Sequence, residues 1–191
     1  MLIAVVQLVA ILSLTGTGYP EYFAGAQFVH FLLGPAAVAL AIPIYRQFER
    51  VRRSALALIV SILAGSLTAA GSAVGIAWAL GGSRDALISL APKSVTAPVA
   101  MGVAKQLGEL TAVLVILTGV LGAMLGPLVL SALGIRDWAA RGVAMGTARH
   151  GIGTARALQE SELAGAFSGL AMGLNALATA VLLPILWRFL F

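Results

Sequence analysis

In a chain of 191 residues, 60% are hydrophobic and 10% charged, and the mean hydropathy is +1.02. A soluble domain of that length has no interior large enough to hide so much apolar surface, so composition places the chain in a lipid bilayer. The 12 Lys and Arg outnumber the 7 Asp and Glu but are not laid along one soluble face, which argues against a nucleic-acid partner, and the lack of cysteine removes disulfides, thiolate nucleophiles and Cys-based metal sites.

Seven apolar stretches follow one another, over about 2–15, 23–45, 55–80, 86–104, 110–133, 139–158 and 164–187. Crossing about 30 Å of hydrocarbon takes about 20 helical residues, so most of them are long enough to span. The first, LIAVVQLVAILSLT, is short and lacks the charged n-region of a secretory signal, so it reads as a clipped membrane helix. The second contains Gly34, Pro35 and Pro43 and reads as interrupted. Next comes RQFERVRRS, where Arg46, Arg50, Arg52 and Arg53 accompany only Glu49. The positive-inside rule puts that loop, 46–54, in the cytoplasm of a multi-pass protein of the inner (plasma) membrane.

The third, fifth and seventh stretches are uninterrupted and read as plain membrane helices. The fourth carries LAPKSVTAPVA, in which Pro92 and Pro98 break the helix around Lys93, Ser94 and Thr96. The sixth carries GTARHGIGTARAL, where Gly151 and Gly153 open the backbone beside His150, Thr147 and Thr154. Broken backbone at membrane depth survives only when buried in protein or lining a wet cavity, so these two segments point to a pathway or binding site. The expected fold is all-α: one transmembrane domain over 1–191, a polytopic helical bundle with interrupted or re-entrant helices. An internal repeat is expected over about 1–80, incomplete, and 86–191, because an interrupted segment, a polar stretch and a small-residue helix recur in that order. Parallel and inverted copies both fit the pattern.

The seven carboxylates fall in connections or at span ends, whereas Lys93, Arg149 and Arg156 fall inside interrupted segments. A cation at the bilayer centre costs about 2.5 to 3.5 kcal/mol and calls for a partner or water. A bound anion fills that role, and small carboxylates suit a site where cations, hydroxyls and free backbone amides meet. The competing readings are that Lys93 snorkels to an interface, that Arg156 simply pairs with Glu160 four residues on, and that His150 is a packed core residue. With no carboxylate at depth, His150 is nevertheless the candidate for proton coupling. Asn175 reads as either interhelical glue or a pathway group. No zinc-protease, nucleotide-loop or nucleophile-elbow motif is present, and no enzyme, metal or cofactor is expected.

The stretches LLGPAAVALAIPIYRQ, LAPKSVTAPVAMGVAKQLG, VILTGVLGAMLGP and ARGVAMGTARHGIGTARALQESELAGAFSGLAMGL, in that order, resemble the LrgB/CidB membrane family, which includes the plastidic glycolate/glycerate transporter. The resemblance implies a multi-pass inner-membrane protein, often working with a small membrane partner of the LrgA/CidA type, and a homo-oligomer is expected. Two functions come with it: transport of small monocarboxylates such as glycolate, glycerate or pyruvate, and holin- or antiholin-like control of murein hydrolases and autolysis. Relative to the family pattern, the chain is expected to be short of one N-terminal helix; it shortens a connection to LGELTA and has Arg149 where a small hydroxyl residue is common. The sequence therefore assigns substrate binding to Lys93, Ser94, Thr96, Gly151, Gly153, Thr154 and Arg156, with no shared role for Arg149.

Overall fold

The computed structural model describes residues 2–39, 41–104 and 108–190, and every regular element among them is helical. Two compact units are present, Met1–Ile42 and Pro43–Phe191. The first contains α1 (Leu2–Thr15) and α2 (Tyr19–Ala39), joined through Gly16 at φ 66°. The interruption expected at Gly34 and Pro35 is absent, because α2 runs through both. One proline removes a single backbone hydrogen bond, and a membrane helix can absorb that loss through local adjustment and its neighbours.

After α3 (Ala41–Arg46), the second unit contains α4 (Phe48–Arg53), α5 (Ala55–Ala79), α6 (Arg84–Leu90), α7 (Ala97–Ala104), α8 (Gly108–Ala132), α9 (Trp138–Glu160) and α10 (Glu162–Leu190). Three of these contain spans long and apolar enough to cross a membrane: Ala55–Ala79, Leu110–Ala132 and Glu162–Ile185. Their outward faces keep large apolar side chains exposed, including Leu56, Val60, Leu121, Leu128 and Val181, as a surface meeting lipid requires.

The core of this unit is the α9–α10 pair. An added Cβ at Gly146 would stand 2.8 Å from the Ser168 carbonyl carbon, and one at Gly142 would stand 3.0 Å from that of Ala164. The two backbones therefore touch, which in lipid supplies the packing that hydrophobic exclusion cannot. Against this pair, Leu58 and Ile62 of α5 pack with Phe167 and Ala171, while Leu130 of α8 packs with Met145, Ala157 and Ala164. Asp137 caps α9 by accepting the Ala140 N–H at 2.8 Å.

Candidate functional site

Two backbone interruptions lie among the described residues of this unit. Between α6 and α7, Pro92 cannot donate to the ladder, and the chain closes two tight turns instead: the Lys93 N–H donates to the Leu90 carbonyl and the Val95 N–H to that of Pro92, each at 3.2 Å. Pro98 bounds the break on its far side: it occupies the first turn of α7, where a missing N–H leaves nothing unsatisfied and the helix cannot extend backward, and the Thr96 carbonyl starts that helix by accepting the Ala100 N–H at 2.9 Å.

The second interruption is a kink in α9 at His150, whose φ of 43° and ψ of −140° lie outside any helix. These angles approach the first central position of a type II′ turn, where glycine is usual, so histidine here is strained by about 1 to 3 kcal/mol. Three bonds hold it. His150 is buried, and its Nε2 lies 2.9 Å from the Val115 carbonyl of α8. A carbonyl can only accept, so Nε2 carries the proton in that bond. The Thr154 hydroxyl donates to the freed His150 carbonyl at 3.0 Å, and Ser168 on α10 completes the chain by donating to Thr154 at 2.9 Å.

Asn175 of α10, only 1% exposed, joins the two interruptions. Its Nδ2 donates to the Thr147 carbonyl on α9 at 2.9 Å and to the Ser94 carbonyl in the α6–α7 break at 3.3 Å. Among the described residues its Oδ1 and the Thr147 hydroxyl have no partner. Beside this strap the half-buried Lys93 ammonium donates to the Ser94 hydroxyl at 3.3 Å. Half-buried Arg149 runs along a glycine stripe of α8: an added Cβ at Gly126 would stand 2.8 Å from its Cζ, and one at Gly119 would stand 2.6 Å from the His150 ring. Its Nη1 reaches only the Met145 sulfur, at 3.2 Å. The Arg149 charge reaches Lys93, and neither is paired with a carboxylate among the described residues.

The residues assigned from sequence are placed differently from one another. Arg156 is engaged on its own helix, with its side chain 45% exposed, its Nε 3.6 Å from Glu160 and its Nη1 3.3 Å from Gln159. The kink turns the second arm of α9, so the register that would align positions 149 and 156 on one face is lost. The Thr154 hydroxyl donates to the backbone at the kink. Gly153 provides close packing, since a Cβ there would meet the Met145 carbonyl oxygen at 2.6 Å, while Gly151 is exposed. Ser94 and Thr96 do lie in the break with Lys93. The packing of Arg149 on the α8 glycines was not foreseen from sequence. The available signal was the spacing of Gly119, Gly122 and Gly126, which puts three small residues on one helix face.

The sequence matches the LrgB-like family over residues 1–189. It is 36% identical to the uncharacterized protein YxaC of Bacillus subtilis (strain 168), over 99% of this chain and 84% of that one. It is 37% identical to YwbG of the same organism, over 100% of this chain and 86% of that one. The holin-like protein CidB of Staphylococcus epidermidis is 32% identical, over 97% of this chain and 82% of its own. No solved structure matches. By this match over nearly its whole length, together with three helices able to cross a bilayer, the chain is a membrane protein of the LrgB-like family.

Proposed function

We propose that this protein moves small 2-hydroxy or 2-oxo monocarboxylates across the inner membrane, without enzymatic chemistry, through a site where Lys93 and Arg149 supply the charge. The observation that carries this reading is a pair of half-buried cations, set where two helices break, with no carboxylate partner among the described residues. Each costs about 2.5 to 3.5 kcal/mol at the bilayer centre when uncompensated, and their mutual repulsion adds to that cost. One carboxylate between them offsets both terms. Ser94 and Thr96 are the adjoining hydroxyls for a 2-hydroxy or 2-oxo group. His150 is the titratable neighbour through which a proton would be coupled. The multi-pass topology has loop 46–54 in the cytoplasm, and the repeat over about 1–80 and 86–191 relates its halves.

The second reading, a holin- or antiholin-like modulator of murein hydrolases acting through oligomers and a small LrgA/CidA-type partner, is favoured by the holin-like name of the CidB relative. Purified protein in liposomes separates the two. The carrier reading expects saturable glycolate or pyruvate uptake that Lys93→Ala abolishes and Arg149→Gln lowers at least tenfold, with Arg156→Gln near the parent rate. Unsaturable leak of unrelated dyes, indifferent to Lys93, would establish the pore instead.

A further inference from the structure

The groove between α5 and α9 has a volume of about 500 Å³, and Ser54, Ser61 and Gly65 line it together with Ala140, Ala144 and Thr147. It begins at the arginine-bearing end, since Ser54 directly follows α4 and Ala139 lies two residues beyond Asp137, which pairs with Arg50 at 4.0 Å. At 1.5 Å per residue, the ten residues from Ala55 to Gly65 and the nine from Trp138 to Thr147 both put its floor about 15 Å deep, half the hydrocarbon thickness. Thr147 at that floor is 4% exposed, and its buried hydroxyl has no partner among the described residues. A buried hydroxyl calls for a donor or acceptor, which a water at the floor would supply.

Further along α5, between it, the α6–α7 break and α10, lies a second cavity of only about 40 Å³, lined by Ser66, Ala70, Ser94 and Thr179. Asn175 falls between the two in the order of α10, with Phe167 on the groove side and Ala178 to Leu183 on the other. Its amide ties the groove's floor to the Lys93 segment.

We infer that the groove is a water-filled vestibule reaching the anion site from the arginine-bearing end, and that the Asn175 strap is the barrier closing it from the second cavity. This rests on the carrier reading for its purpose but not for its test. Charge at the mouth agrees with it. Arg46, Arg50 and Arg53 pair with Glu162, Asp137 and Glu49, whereas exposed Arg52 has no ion-pair partner among the described residues, so the rim is net positive and draws anions.

The chain contains no cysteine, so single cysteines report directly on water access. Ala144→Cys and Ser61→Cys, in vesicles of both orientations, should react with a charged, membrane-impermeant methanethiosulfonate only from the face bearing Arg50. Thr179→Cys should resist it, and adding Asn175→Ala should speed its reaction from that face at least tenfold. Asn175→Ser carries the same expectation and is used if the alanine variant loses the parent reactivity at Ser61→Cys. Reaction of Ala144→Cys with a lipid-soluble maleimide alone would make the groove a lipid- or helix-facing surface and overturn the inference. Equal reactivity of Thr179→Cys with and without Asn175 would overturn the barrier. Loss of carboxylate flux with the labelling pattern intact would sink the carrier reading alone.

Discussion

Replacing Arg141 by methionine tests whether one buried cation holds α8 to both ends of α9. The guanidinium donates through Nη1 to the Ser131 hydroxyl at 3.2 Å and the Ile135 carbonyl at 3.0 Å, and through Nη2 to Pro127 at 3.4 Å and Glu160 at 3.2 Å. Its Cζ stands 5.4 Å from the Trp138 ring centre. The side chains of Arg141 and Glu160 are 9% and 16% exposed, so the bulk of both is out of water. Removing one partner of a buried pair costs about 3 to 5 kcal/mol, chiefly because the other charge is stranded. Here Glu160 keeps Arg156 at 3.6 Å, which places the expected loss at the lower end, about 3 kcal/mol. Methionine preserves most of the apolar stem, so little of that loss reflects packing. Equilibrium unfolding in mixed micelles with increasing SDS measures it, as a lower midpoint at unchanged slope. The double variant Arg141→Met with Glu160→Met should recover most of the loss, because no buried charge is then stranded. A single-variant loss below about 1 kcal/mol, the range of exposed pairs, would refute the role given to this network.

Arg156→Gln should cost less than about 1 kcal/mol in the same assay, since its pair is part exposed. His150→Gly should be near neutral, because relief of the positive φ offsets loss of the Val115 bond, whereas His150→Ala keeps the strain, loses the bond and should cost about 2 kcal/mol. Gly146→Ala must push α9 off α10 and should cost about 1 to 3 kcal/mol, read as a lower melting temperature in detergent. Gly126→Leu should displace the Arg149 guanidinium and cut carboxylate uptake at least tenfold, with folding checked by size-exclusion chromatography.

Hydropathy alone located the long helices, because twenty-odd apolar residues have few destinations other than lipid. The stretch expected at 55–80 is α5 over Ala55–Ala79, and that at 110–133 ends with α8 at Ala132. The break at Pro92 and the kink in the HGIG stretch were legible as well, since proline and glycine act on their own backbone. Gly34 and Pro35 misled for the reason given above: whether a helix tolerates a proline is decided by its surroundings, which local sequence does not encode. The different surroundings of Arg149 and Arg156 were illegible for a geometric reason. Seven residues apart, they share a face in a continuous helix, and the turn at His150 sends one toward the α8 glycines and the other toward Glu160. Asn175 was recognisable as polar glue, but its two acceptors lie 28 and 81 residues away in the chain, and only the fold pairs them.

The backbone-to-backbone seam between α9 and α10 bears on biogenesis. With Arg141, Arg149, His150 and Arg156 on one helix, α9 is not among the segments apolar enough to enter a bilayer by themselves. Its neighbour α10 is, and the extended residue Ser161 between them leaves no room for a separate loop. Because Arg141 near its start meets Glu160 at its end, α9 folds back on itself at His150 and holds its place in the bilayer only against α10: Gly151→Cys, in the turn, should be shielded from a water-soluble thiol reagent with α10 present and react with it when α10 is deleted.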